Sequence, residues 1–296
     1  MPTIRTPKPL MTILVAAVAI FAAGAAQSEP IDVPSDIAIL NCKQFKKLPK
    51  VIRKPGIYCV WRNLHWDGTA GFAIEIRADN VTLNFNGYTI SGVSSGSLGT
   101  GTTGIYAADR RNINIRNGMI RGFNRGIHLA GTQANGNLGA RIGPLRIVDS
   151  GQRGIFVSGG SGHVVRGNQI ANTGSNGEGT AAGIVLHGVS GSEIGDNTVS
   201  GVEGTRQATG IHILNSGSVA VTGNAVLDTR SRSQARGIFA TGGGNISVVY
   251  NRVLNPAGSG TVGLGGNAAS LGCFENVISG YATPHGCTAA DDNEAF

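Results

Sequence analysis

The sequence predicts an all-β chain wound as a parallel solenoid. Three observations carry the prediction. A Gly-Ile pair opens a short apolar segment at residues 104, 126, 154, 183, 210 and 237, in steps of 22, 28, 29, 27 and 27 residues. In four successive units the Gly stands 14 residues ahead of an Asn: Gly154 to Asn168, Gly183 to Asn197, Gly210 to Asn224 and Gly237 to Asn251. Glycine is 47 of 296 residues, roughly twice the usual share of about 7%, and no long run has helical period. A unit this short cannot bury its apolar face alone, but a stack of such units can.

The N-terminus precedes the repeat. Arg5 and Lys8 lead into an apolar run, Met11 to Ala23, and then into small residues at Ala22–Ala26. That pattern predicts a cleaved signal peptide over 1–26 and a secreted or periplasmic protein with no membrane span after cleavage. Lys and Arg number 24 against 17 acids, so losing Arg5 and Lys8 with the leader leaves a charge of about +5.

Residues 27–72 are expected to cap the first open edge of the stack, because an uncovered edge invites edge-to-edge association. A short helix over Ser35 to Lys47 is expected, with Ser35 as N-cap and Ile37, Leu40 and Phe45 turned inward. Lys43, Lys46, Lys47, Lys50, Arg53 and Lys54 crowd this stretch and read as solvated charge guarding the edge. Trp61 and Trp66 read as plugs of the cap. Cys42 and Cys59 lie before the repeat, and Cys273 and Cys287 at its end. Seven or eight coils at about 4.8 Å each separate the two pairs, whereas a bridge needs Cα atoms within about 7 Å. The expected disulfides are therefore Cys42–Cys59 and Cys273–Cys287.

The repeat is placed at 73–281, with 282–296 as a C-terminal tail. Stacking puts equivalent residues above one another. Ile105, Ile127, Ile155, Ile184, Ile211 and Ile238 form an inward column, and Ile170, Val199, Val226, Val253 and Ile278 a second. Asn168, Asn197, Asn224, Asn251 and Asn276 are expected to form an amide ladder at a turn. His163, at the position of Val219 and Ile246, reads as a half-buried packing residue.

The segments Pro55-Gly56-Ile57-Tyr58 and Ala78-Asp79-Asn80-Val81-Thr82-Leu83-Asn84-Phe85-Asn86-Gly87-Tyr88-Thr89-Ile90-Ser91-Gly92, with the repeats after them, resemble bacterial right-handed parallel β-helix proteins of the pectate-lyase-like superfamily. The resemblance covers about 55–281 and implies a right-handed parallel β-helix. It implies no single reaction, since that superfamily includes lyases, glycoside hydrolases, epimerases, tailspikes and adhesins.

The segments between each Asn and the next Gly vary in length, and variable loops on a rigid scaffold are where sites usually sit. Beside them, the outward position of Gly-Ile-x-Val is occupied by Tyr106, His128, Phe156, Val185, His212 and Phe239. Arg125, Arg153 and Arg236 stand just before the glycines. Rings with arginines suit a polysaccharide strand, an acidic one matching the charge. The candidate substrate-binding residues are Tyr106, His128, Arg153, Phe156, His212, Arg236 and Phe239. The alternative is a non-catalytic structural or adhesive surface protein whose ring column only stiffens the sheet.

Catalysis is not assigned. Asp149 and Asp228 share a column but lie three coils apart, roughly 14 Å, and that column reads as turn chemistry. Glu193 and Asp196 fall on opposite strand faces unless the turn at Asp196 intervenes. The superfamily's Asp-Pro-His-Asp, Asn-Thr-Asp and Gly-His-Gly signatures are unmatched, and Arg141 to Arg146 has the wrong spacing for the lyase Arg/Pro motif. The six histidines are scattered, so no metal and no cofactor is expected, and no nucleic-acid partner.

Overall fold

In the computed structural model, residues 42–93, 101–131, 137–174, 179–256 and 260–295 are described. The leader over 1–26 and the first half of the expected cap helix lie outside them. Among the described residues, no helix is long and apolar enough to cross a membrane.

One coil shows how the repeat folds. Arg153–Ser158, Val164–Arg166 and Gln169–Thr173 are three strands separated by turns. Each pairs in parallel with its counterpart one coil on, in Thr180–His187, Ser190–Gly195 and Thr198–Gly204. The third strands form a ten-stranded sheet, and the first and second together a 19-stranded one. The latter two fuse because Gln207–Thr222 and Gln234–Val249 run through both positions without a break. The result is a right-handed parallel β-helix.

Registers place the isoleucines as expected. Ile127 pairs with Ile105 and Ile155, and Ile211 with Ile184 and Ile238, all essentially inaccessible. The Ile170–Ile278 column closes the core from the third sheet. Asp149, Asn172 and Asp228, expected at a turn, lie within the third strands with φ of 54°, 54° and 60°, a left-handed conformation that short polar side chains tolerate.

The Asn ladder forms. Asn168 Nδ2 donates to Asn197 Oδ1 at 2.9 Å, and the same bond links Asn197 to Asn224, Asn224 to Asn251 and Asn251 to Asn276. It runs one coil further than expected, to Asn293 at 2.8 Å. His163 is fully rather than half buried. Its Nδ1 accepts from Ala140 N and its Nε2 lies 3.1 Å from Gly159 O, which fixes an Nε2–H tautomer.

The N-terminal end departs from expectation. Within the expected helix, Lys43–Phe45 is a strand paired with Tyr58–Val60. A strand there satisfies the backbone groups of the first coil's open edge, which a helix would not do, and it buries Phe45. Parallel pairing therefore begins at Lys43, ahead of residue 73. It also runs past 281, with Ala289–Asp291 and Glu294–Ala295 adding a last partial coil. Trp66 is buried and stacks on Phe123 at 6.1 Å, but Trp61 is exposed. Both disulfides join the expected cysteines, with Cα separations of 5.8 and 6.1 Å.

Candidate functional site

The first strand of each coil turns alternate residues outward, and parallel register makes those residues rows along the solenoid. One row is Glu75, Tyr106, His128, Phe156, Val185, His212 and Phe239. The row three residues earlier on each coil's first strand is Phe72, Thr103, Arg125, Arg153, Ala182, Thr209 and Arg236. The structure thus brings all seven candidate residues onto one face, in two groups. Tyr106, His128, Arg153 and Phe156 occupy three adjacent coils. His212, Arg236 and Phe239 occupy two more, with buried Val185 between the groups.

The rings contact one another more than strand alternation alone implies. Phe72 stacks on Tyr106 at 4.0 Å and 7°, and His128 on Phe156 at 4.6 Å and 16°. Tyr106 meets His128 edge-on at 5.4 Å. The Arg153 guanidinium lies over Phe156 at 4.2 Å and that of Arg236 over Phe239 at 3.8 Å. Much of the ring surface is therefore already covered, and the guanidiniums of Arg153 and Arg236 lie half-buried over it. Phe72 is not among the residues singled out from the sequence. Its signal is its place two residues before Ile74, where other coils carry arginine.

The electrostatics are one-sided. Arg125 and Arg153 are direct register partners, and Arg125 Nε is buried with no hydrogen-bond partner. Arg125 Nη2 makes a long bond to Gln152 Oε1, and Arg236 Nη2 reaches Gln234 Oε1 at 2.8 Å. Among the described residues, neither these two nor Arg153 has an ion pair. Burial, with Arg125 alongside, lowers the Arg153 pKa. His128 is pushed down to about 4 by burial, then by Arg125 and Arg153. His212 is likewise pushed to about 4 by burial, then by Arg236, Arg153 and His187, and its Nε2 lies 3.2 Å from Thr241 Oγ1. Both imidazoles are neutral at pH 7.

These shifts give a pH dependence to stability. His128, His212 and His163 all have folded pKa values below the ordinary 6.5. As pH falls below 6.5, the unfolded chain takes up protons that the folded chain refuses, so stability declines until folded His128 and His212 titrate near 4. A fall in Tm of at least about 5 °C is expected between pH 6.5 and 4.5. It should flatten in a His128→Gln/His212→Gln variant, measured by circular dichroism melts. An equal slope in wild type and variant would show that these rings are not the cause.

The carboxylates are engaged elsewhere. Asp149 pairs with Arg121 at 2.9 Å and Asp228 with Arg230 at 2.6 Å. Glu193 and Asp196 do converge, both on Arg166, because the left-handed turn at Asp196 (φ 52°) swings its side chain to the same side. Among the described residues, no group of three His, Cys, Asp or Glu is placed to hold a metal ion.

Residues 72–274 match the family described as right handed beta helix region. The chain belongs to that family. No curated protein sequence matches it. Among solved structures it is similar to the Dettilon tailspike protein gp208, with a TM-score of 0.50 and 14% identity over 86% of this chain. It spans about half of that protein, 54%. The periplasmic alginate epimerase AlgG gives a TM-score of 0.49 at 14% identity, covering 83% of this chain and 77% of AlgG. The GH87 α-1,3-glucanase of Streptomyces thermodiastaticus gives 0.42 at 12%, covering 83% of this chain and 63% of the glucanase. Likeness at these identities concerns the fold of this β-helix protein alone.

Proposed function

We propose that this β-helix protein is exported and binds an acidic polysaccharide along the face that carries Arg125, Arg153 and Arg236. The observation behind this reading is the pairing of Arg125 with Arg153 across adjacent strands without an acid partner among the described residues. Like charges directly opposite one another destabilise a sheet. Such a breach of local consistency is typical of functional sites. A carboxylate-bearing sugar chain would neutralise the pair and lie along the row toward Arg236. Phe156 and Phe239 underlie the Arg153 and Arg236 guanidiniums, with neutral His128 and His212 as hydrogen-bonding groups. Two disulfides and the N-terminal leader pattern support export.

Binding to polygalacturonate and alginate, with a neutral glucan as reference, tests this directly. Arg125→Gln/Arg153→Gln should weaken binding of the acidic polymers by at least about tenfold and reduce its salt dependence. If no acidic polymer binds, or if the double variant binds as well as wild type, the reading fails. A parallel assay for new unsaturated uronate products asks whether binding leads to processing. The ring faces covered by one another favour a second reading, a structural or adhesive surface protein in which the row only stiffens the sheet. Absence of any glycan binding would leave that reading.

A further inference from the structure

The basic stretch near the N-terminus divides into lysines that are engaged and cations that are not. Lys43 Nζ donates to Pro55 O at 3.0 Å and lies 5.3 Å from the Tyr58 ring centroid. Lys50 Nζ lies 5.8 Å from the Phe45 ring centroid. Lys46 and Lys47 have no such partners among the described residues. They line a cleft of about 360 Å³ together with Arg62, Asn63, His65 and the apolar Leu48. No acid lines it.

The cleft is preorganised. Arg62 Nη2 donates to Lys46 O at 3.1 Å, which ties the segment after the edge strand to the turn before Leu64–His65. Asn63 Oδ1 accepts from Thr89 N at 3.0 Å, so the amide NH₂ remains a donor. His65 Nδ1 is engaged with Ser91 Oγ at 3.0 Å. Cations and the Asn63 amide donor thus gather with no competing carboxylate. A guanidinium fork with two ammonium groups is suited to a tetrahedral dianion. The volume falls in the range of small-molecule sites and exceeds what a bare ion fills.

We infer that this cleft binds a phosphate- or sulfate-class oxyanion carried on a small organic group. The site shares no residue with the arginine face and does not depend on glycan binding there.

Calorimetric titration with inorganic phosphate, sulfate and a hexose monophosphate tests the site on the whole protein. Wild type should bind at least one of the three. Lys46→Gln/Lys47→Gln and, separately, Arg62→Gln should weaken that binding by at least about tenfold. Lys54→Gln, in the same basic stretch but outside the cleft, should leave it unchanged, as should Arg125→Gln/Arg153→Gln. The double lysine variant removes no hydrogen bond of either side chain, so its fold should be intact by circular dichroism. Tighter binding of the hexose monophosphate identifies an organic carrier, and equal binding identifies the free ion as the ligand. No binding of any probe overturns the site. An equal loss in Lys54→Gln would also overturn it, because diffuse charge would then explain the binding.

Discussion

Asn224→Ala should lower stability by about 3–5 kcal/mol, far more than an exposed Asn→Ala would. Asn224 is buried in the middle of the ladder. Its Nδ2 donates to Ile194 O at 2.9 Å, Thr222 O at 3.2 Å and Asn251 Oδ1 at 3.0 Å. Its Oδ1 accepts from the backbone and side chain of Asn197, at 3.0 and 2.9 Å. Truncation strips the acceptor from a buried Asn197 N–H and removes a donor from several carbonyls, and a buried group left unpaired costs about 1–3 kcal/mol.

Asn168→Ala provides the internal comparison. Asn168 ends the ladder, and its Oδ1 accepts nothing among the described residues. Its removal deprives carbonyls of donors but orphans no N–H, so a smaller loss is expected, about 1–2 kcal/mol. Denaturant unfolding followed by circular dichroism and by Trp fluorescence would read both. The two probes also report whether coils beyond Asn224 unfold separately, as a nearest-neighbour array permits. Equal losses at Asn168 and Asn224, or a loss below about 1 kcal/mol at Asn224, would mean that the ladder adds little to the turns.

The same ladder shows which parts of the fold are legible in the sequence. Strict 14-residue spacing from Gly to Asn reflects a coil with two strands and one turn of fixed length, so the spacing alone yields the Ile and Asn columns. Periodicity of that kind needs several coils to be visible. At the N-terminal end only one coil is available, and there the spacing of Ile37, Leu40 and Phe45 reads as helical although Phe45 lies in a strand. The strand Lys43–Phe45 is defined by its partner Tyr58–Val60, not by its own three residues. The outward row from Tyr106 to Phe239 is legible because alternation in a strand is strict. How its rings pair is not, since Phe72 reaches Tyr106 diagonally and the arginines fold back over Phe156 and Phe239. Glu193 and Asp196 converge on Arg166 for a related reason: one left-handed residue reverses the alternation on which a facing rule depends.

The Gly of each Gly-Ile pair has its own physical cause, and Gly210→Ala should expose it with a loss of about 3 kcal/mol or more. Gly210 does not have a left-handed φ, so conformational freedom is not the reason. A Cβ there would lie 2.2 Å from Val226 Cγ1 and 2.8 Å from Gly237 O. The same conflict recurs along the column, with Gly154 against Ile170, Gly183 against Val199 and Gly237 against Val253. The first sheet can approach the third only where it has no side chain, so glycine and the facing Val or Ile occupy one shared volume. Val226→Ala removes the side-chain half of the clash but not the approach of Gly237 O. Gly210→Ala/Val226→Ala should therefore be only partly rescued, and should be more stable than the sum of the single losses predicts by about 1–2 kcal/mol. Gly217→Ala, on the same strand, is the control. Its Cβ would meet Gly244 O at 3.7 Å, an ordinary contact, and its φ is not left-handed. Little change is expected there. Thermal and denaturant unfolding of the four variants would decide. If Gly210→Ala is as mild as Gly217→Ala, then the close approach of the two sheets is not what reserves this column for glycine.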